Sequence, residues 1–409
     1  MLIHWIWFAS RPNLSDRSKA ELLQHFRDAE DIYYADREAF SREALSKEAL
    51  DALLDKNLKS AEQILRQCSE GNIHVLTYRD AAYPGRLRNI ADPPMVLYYK
   101  GTLPAFDDLP MIAVVGTRKA TPYGLTTAKR MGYQLAACGG TVVSGMAYGI
   151  DGMAMQGALT AGGTVVGVLG CGVDVVYPVT NRALFADTER HGCLLSEFAP
   201  GTEPFKWNFP KRNRIISGLC CGVLVIEAPE KSGALITARQ ASDQGRDVFA
   251  VPGNIDMPTC AGSNALLRDG AIMASSGWDV LSEYQAQFPD KIQDRCKPGI
   301  QQAYPDEVAL QEPQLKVAQK PKLFGGNKSK PKKEIDNAQS SHYIDAEDKH
   351  PPLSDQEQTV LAQVGHTETL VDDIMAKTQL SAGAVLAALT MLEVKGLILR
   401  LPGKRVKRK

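Results

Sequence analysis

The chemistry-bearing residues of this 409-residue chain gather in a few short stretches. FKWNFPKRNRIISG, Phe205 to Gly218, interleaves Lys206, Lys211, Arg212 and Arg214 with Phe205, Trp207 and Phe209. Aromatic faces stack on unpaired bases, and Lys and Arg neutralise phosphates, at about 1–3 kcal/mol per stacked base. The same composition also suits a helix start whose rings enter a core and whose cations are solvated, and composition does not separate the two. Two Ser-Gly pairs, Ser144-Gly145 and Ser232-Gly233, each follow an apolar run and precede a helical one. Small residues there let backbone N–H groups cradle a phosphate. They also simply make tight turns. Arg118 follows another such run, which places a further cation at the same expected sheet edge.

Acid–base chemistry has weaker support. Asp151, Asp174, Glu197 and Glu227 lie near expected strand ends, and Glu227 suits orienting Arg212 or Arg214 as well as acting as a base. Between residues 110 and 285 the single histidine is His191, expected in a turn. No Ser/His/Asp order, H-E-x-x-H or Cys/His pair stands out. The loop after the first strand is not G-x-G-x-x-G, and there is no G-x-x-x-x-G-K-[ST], so a nicotinamide dinucleotide and ATPase chemistry lack support. The eight cysteines contain no C-x-x-C pair and suit buried, reduced thiols of a cytosolic protein, without a zinc site. The enzyme reading that survives is hydrolysis of a nucleotide N-glycosidic bond, with Glu227 as the base.

These residues need elements to hold them. Lys+Arg and Asp+Glu are both 47, so any nucleic-acid surface must be a local patch. No apolar run reaches the ~20 residues of a membrane span, and MLIHWIWFASRP suits a buried first helix rather than a signal peptide. Residues 1–105 read as a mainly helical domain, with a short helix and strand in NLKSAEQILRQCSEGNIHVLTY and an extended run in DPPMVLYYKG. Residues 106–285 carry seven short apolar runs: MIAVVG, TVVSG, TVVGVLG, CLLSEF, GVLVIEA, DVFAVPG and AIMASSG. They alternate with helical stretches and show little polar alternation, which predicts a doubly wound α/β fold with a parallel sheet buried on both faces. Residues 286–352 lack periodicity and read as a disordered linker, with seven lysines and no acid between Pro313 and Lys333. Residues 353–409 predict three helices and a two-stranded wing turning at Pro402-Gly403, a winged-helix domain with a basic tail of Lys404, Arg405, Lys407, Arg408 and Lys409. The third helix, Ser381 to Gly396, has Lys395 as its one basic residue and no Asn or Gln. That speaks against a regulator reading duplex bases through it.

Taken in order, the motifs resemble the DNA-processing protein A (DprA/Smf) family of bacteria. The match runs through VVGTR (Val114 to Arg118), SGMAYGIDGMA (Ser144 to Ala154), the VVYPVTNRAL run, SEFAPGTEP and FPKRNRIISGL (Phe209 to Leu219). It continues through LVIEA, SGALITA, GRDVFAVPG and GSNALLRDGA, and spans about residues 75–284. The resemblance implies an extended Rossmann-like domain flanked by an N-terminal helical (SAM-like) domain and a C-terminal winged helix. It implies a cytoplasmic homodimer that binds single-stranded DNA without catalysis or cofactor. Such a protein protects incoming DNA and loads RecA recombinase onto it during natural transformation. By the family's motifs, Arg118, Lys206 and Phe209 line the binding groove, and Ser144, Gly145, Ser232 and Gly233 contact phosphates. Lys211, Arg212 and Arg214 complete the expected DNA-binding set, with Asn213 and Arg214 alternatively bracing the groove. The winged helix is left with three candidate roles: partner binding, dimer support or DNA contact.

Overall fold

Capping and burial decide the N-terminal elements. The computed structural model describes residues 1–41, 43–295 and 354–408, apart from 366, 368, 379, 395–396 and 402–404. Helix α1 (Leu2–Ala9) buries Trp5, Ile6, Trp7 and Phe8, the apolar start expected to be a buried helix. Ser15 caps α2 (Asp16–His25) by accepting from the Ser18 N–H, which satisfies one of the free donors at the helix start. Helices α3 (Ala29–Tyr34), α4 (Lys47–Leu54) and α5 (Lys59–Glu70) follow. Then come strand β1 (His74–Thr77), the one-turn α6 (Gly85–Arg88) and strand β2 (Val96–Gly101).

The next apolar runs all form strands: β3 (Met111–Val115), β4 (Thr141–Ser144), β5 (Val165–Val168), β6 (Gly192–Ser196), β7 (Gly222–Val225), β8 (Asp247–Ala250) and β9 (Ile272–Met273). Every residue of β3 to β7 is buried, so neither face needed polar alternation. Between them lie α7 (Pro122–Ala137), α8 (Ile150–Thr160), α9 (Arg182–His191), α10 (Asn208–Leu219), α11 (Gly233–Asp243) and α12 (Ala261–Arg268), with α13 (Gly277–Leu281) after β9. The sheet order is β1-β2-β6-β5-β4-β3-β7-β8-β9. Strands β6 through β9 in that row are parallel, while β2 pairs antiparallel with β6 and β1 with β2. The fold is therefore the expected doubly wound α/β architecture.

Two expected boundaries move. The division at 105/106 does not separate two cores, because β1 and β2 extend the sheet and one apolar cluster runs from Trp5 through Ile112 to Ile292. The linker expected from 286 begins later: Phe288 and Ile292 are buried, and the Gln293 N–H donates to the Cys138 carbonyl at 3.0 Å. The rest of that linker, with its lysine run, lies outside the described residues.

The second unit has its own small core. Ser354 and Glu357 form a capping box at α14 (Asp355–Gln363), followed by β10 (Thr369–Leu370), α15 (Val371–Thr378), α16 (Ala382–Val394), β11 (Ile398–Leu401) and β12 (Arg405–Arg408). Val360, Ile374, Val385, Leu389, Leu392, Ile398 and Val406 pack together. The wing is three-stranded, in the order β10-β12-β11. Arg405, Lys407 and Arg408 are thus part of its central strand rather than a tail, because buried Val406 between them anchors the segment. Lys395, Lys404, Lys409 and the Pro402-Gly403 turn lie outside the described residues. No helix among the described residues is long and apolar enough to cross a membrane. The described cysteines are buried and unbridged, and burial pushes the Cys171 thiol up to about 11.

Candidate nucleic-acid interface

The strand order reverses between β3 and β7, and in open α/β sheets ligands bind outside the carboxyl ends of the strands at such a point. A cleft of about 600 Å³ opens there, lined by Arg118, Lys206, Phe209, Lys231, Ser232 and Gly233 among others. Arg118 is exposed and lays its guanidinium over the Phe209 ring, 4.9 Å from the centroid. Tyr177 adds a second ring 5.6 Å from Phe209. On the opposite wall Ser232 caps α11, its hydroxyl accepting from the Ala234 N–H at 3.3 Å. Nothing crowds Gly233, so the positive end of α11 is open to an anion. Lys231 and Tyr177 also line the cleft, beyond the residues expected there. Lys231 directly precedes the Ser232-Gly233 pair, and Tyr177 lies in the VVYPVTNRAL run, so adjacency to those motifs is the signal that points to them.

The loop carrying Arg118 is held from behind by Glu227. Its backbone carbonyl accepts from the Thr117 N–H at 2.7 Å. Its Oε2 accepts from the Thr121 N–H and hydroxyl at 3.1 and 3.0 Å. Glu227 is fully buried and outside the cleft lining, and it orients this loop rather than Arg212 or Arg214.

The Ser144-Gly145 pair is not presented as a phosphate cradle. The Ser144 hydroxyl donates to the Val114 carbonyl at 2.6 Å, and the Gly145 N–H donates to Asp151 Oδ2 at 3.1 Å. Both donors are consumed inside the protein. Arg212, also expected on a phosphate, is 3% exposed and forms the cleft floor. Its Nη1 donates to the Gly145 carbonyl at 2.9 Å and to the Val168 carbonyl. A Cβ at Gly145 would sit 2.6 Å from the guanidinium, so only glycine admits this contact. Burial lowers Arg212 to about 10, partly opposed by Asp151. Burial likewise raises the Asp151 carboxyl, against the pull of Arg212.

Helix α10 sorts the remaining cations by face. Consecutive residues turn by about 100°, so positions three, four and seven apart share a side. Phe209, Arg212, Asn213 and Ile216 line the cleft. Lys211 and Arg214, both expected on DNA, point to the N-terminal region. Arg214 is buried and meets Glu197 at 2.7 Å and Asp16 and Asp92 at 2.9 Å each. Burial would lower this guanidinium, but Glu197, Asp16 and Asp92 together raise it. Lys211 reaches Asp16 at 3.2 Å and Glu197 at 3.4 Å. Arg214 is thus held by three carboxylates. Asp174 accepts from the Gly201 N–H at 2.9 Å, and His191 ends α9 instead of lying in a turn. Trp207 is exposed, which leaves the core-packing alternative without it.

The chain matches the family model described as DNA recombination-mediator protein A over residues 74–285, and the DprA winged helix domain over residues 345–404. A protein Smf of Synechocystis sp. is 35% identical over 396 residues, covering 95% of this chain and 92% of that one. The DNA processing protein DprA of Bacillus subtilis is 39% identical over 243 residues, 59% of this chain and 82% of its own. The X-ray structure of DNA processing protein A (DprA) from Streptococcus pneumoniae superposes with a TM-score of 0.56 at 33% identity, covering 69% of this chain and 98% of its own.

Proposed function

This chain belongs to the DNA recombination-mediator protein A family, and from that premise we propose that its switch-point cleft binds single-stranded DNA. The observation that carries the reading is Arg118 laid over Phe209, between Lys206 and the open N-terminus of α11. A ring beside cations offers a face for a base and charge for its phosphates. Only an unpaired base can lay its face on such a ring, which favours single strands over duplex. Arg118, Lys206, Lys231 and the Ser232-Gly233 helix start take phosphates, and Phe209 takes a base. Arg212 supports the floor, while Lys211 and Arg214 support the helix.

The protein acts by binding, without catalysis or cofactor. Asp151 Oδ2 accepts from the Gly145 N–H, and Glu227 Oε2 accepts from Thr121. By the family's role, it protects incoming DNA in the cytoplasm and loads RecA onto it during natural transformation. It works as a homodimer, for which the exposed apolar edge around Ile255, Met257, Ile272 and Met273 is the candidate surface.

Fluorescence anisotropy with labelled oligo-dT, competed by duplex across a salt series, tests the reading. The single strand should win. Arg118→Ala and Lys206→Ala should each weaken binding and flatten the salt slope by about 0.7 per lost phosphate contact. Unchanged affinity and slope in both variants would falsify the assignment. RecA filament growth on single strands coated with a single-strand-binding protein should quicken with the wild type and not with Arg118→Ala.

A further inference from the structure

Phe205 and Trp207 form a second aromatic surface outside the cleft. Their rings stack face to face, centroids 4.8 Å apart and planes 5° from parallel. Trp207 is nevertheless 70% exposed and Phe205 41%. Large rings carry the largest burial gain of any side chain, so a stacked pair left in water marks a surface that something else covers. The segment holding them is anchored. The Phe205 N–H donates to the Glu203 carbonyl at 2.9 Å, and the Asn208 N–H donates to the Phe205 carbonyl at 3.0 Å. The buried Asn208 side chain donates to the Gly170 carbonyl at 3.0 Å, tying this turn to the loop after β5. The rings are thus presented on fixed backbone.

Lys206 lies between the two rings in sequence and lines the cleft that holds Phe209. The surface is therefore continuous with the proposed binding site: a ring inside the cleft, a cation at its rim, and a ring pair beyond. A single strand presents base, phosphate and base in the same order. We propose that the free face of Trp207, backed by Phe205, is a second stacking station for the base that neighbours the one on Phe209, with Lys206 holding the phosphate between them. The inference rests on the single-stranded reading of the cleft. The covering partner is a base rather than a protein because the cation of the rim matches the charge of the backbone that must cross it.

Trp5 and Trp7 are buried and Trp278 is half-buried, so the exposed indole reports on this station. Titration of the full-length protein with oligo-dT should quench tryptophan emission. Trp207→Ala should lose that quench and bind long oligo-dT about tenfold more weakly, the effect of one lost stack. It should bind an oligo-dT short enough to be confined to the cleft as the wild type does. Trp207→Phe should lose the quench and keep the affinity, since a phenyl ring still stacks. Arg118→Ala should weaken binding at every length. Wild-type affinity of Trp207→Ala for long oligo-dT, with no quench in the wild type, overturns the second station and leaves the cleft standing. A wild-type protein that binds no oligo-dT at any length overturns both.

Discussion

Arg212 shows how a cation in the proposed nucleic-acid cleft can serve the protein rather than the ligand. Its guanidinium is spent on the Gly145 and Val168 carbonyls, over the buried Asp151 carboxylate. Removing it leaves two buried carbonyls without their donor, at about 1–3 kcal/mol each, and takes away the charge that favours the Asp151 carboxylate. Arg212→Met should therefore lower the urea midpoint markedly. Lys211→Ala removes a half-exposed cation from two largely buried carboxylates, Asp16 and Glu197, that keep Arg214, and should cost no more than about 1 kcal/mol, with oligo-dT affinity unchanged. A stable Arg212→Met protein with weakened DNA binding would move the guanidinium back onto the phosphate. At this scale the residue types were legible from sequence: Arg118, Lys206, Phe209, Ser232 and Gly233 all reach the cleft they were assigned to. What misled was adjacency. Four cations within nine residues looked like one patch, yet Lys206 precedes the helix, and the helix turns Arg212 into the cleft floor and Lys211 and Arg214 toward Asp16 and Glu197.

The elements explain why α10 can hold that arrangement. The helix packs against β3, β4, β5 and α11, while Arg214 on its other side meets Asp16 of α2, Asp92 ahead of β2 and Glu197 after β6. The cluster has a pH signature. Burial would raise the Asp16 carboxyl, but Lys19, Lys211 and Arg214 hold it below its ordinary value. A carboxylate lowered in the folded state contributes stability that is full above its unfolded value, about 3.9, and lost as pH falls through the folded one. Urea unfolding from pH 5 downward should show the wild type losing stability toward acid. Asp16→Asn, weaker at neutral pH, should lose less over the same interval. Equal acid slopes in the two proteins would remove Asp16 from the account. All seven expected strands were found; β3 to β7 are buried throughout, as a run without polar alternation implies, whereas β8 starts exposed and β9 is exposed because it lies at the sheet edge. That β1 and β2 join the same sheet was not legible, since their pairing is set by β6, about a hundred residues further along the chain.

Across the first unit, the sheet ends at β9, where no further strand pairs among the described residues. Ile272 and Met273 are exposed on it, and Ile255, 88% exposed, and Met257 lie in the loop after β8. An unpaired edge with apolar side chains is a template for association, which charge normally blunts. The proposed homodimer should therefore run at twice the chain mass in sedimentation equilibrium, and Met273→Lys should shift it toward the monomer. A Met273→Lys protein that stays dimeric places the interface elsewhere. The winged helix carries its own core, and Arg405, Lys407 and Arg408 sit on a paired strand.

The residues alone were enough for the α/β architecture, for the two loops that meet at the sheet's reversal, and for Arg118, Lys206 and Phe209 in the cleft. Those depend on local features: apolar runs of strand length, small residues at helix starts, and charge beside aromatics. Tertiary structure alone decided which donors stay free. Ser144 and Gly145 lose theirs to Val114 and Asp151, and Arg212 turns to carbonyls 44 and 67 residues away. A hydrogen-bond donor is available to a ligand only if the fold has not already supplied an acceptor, and that acceptor comes from a distant part of the chain.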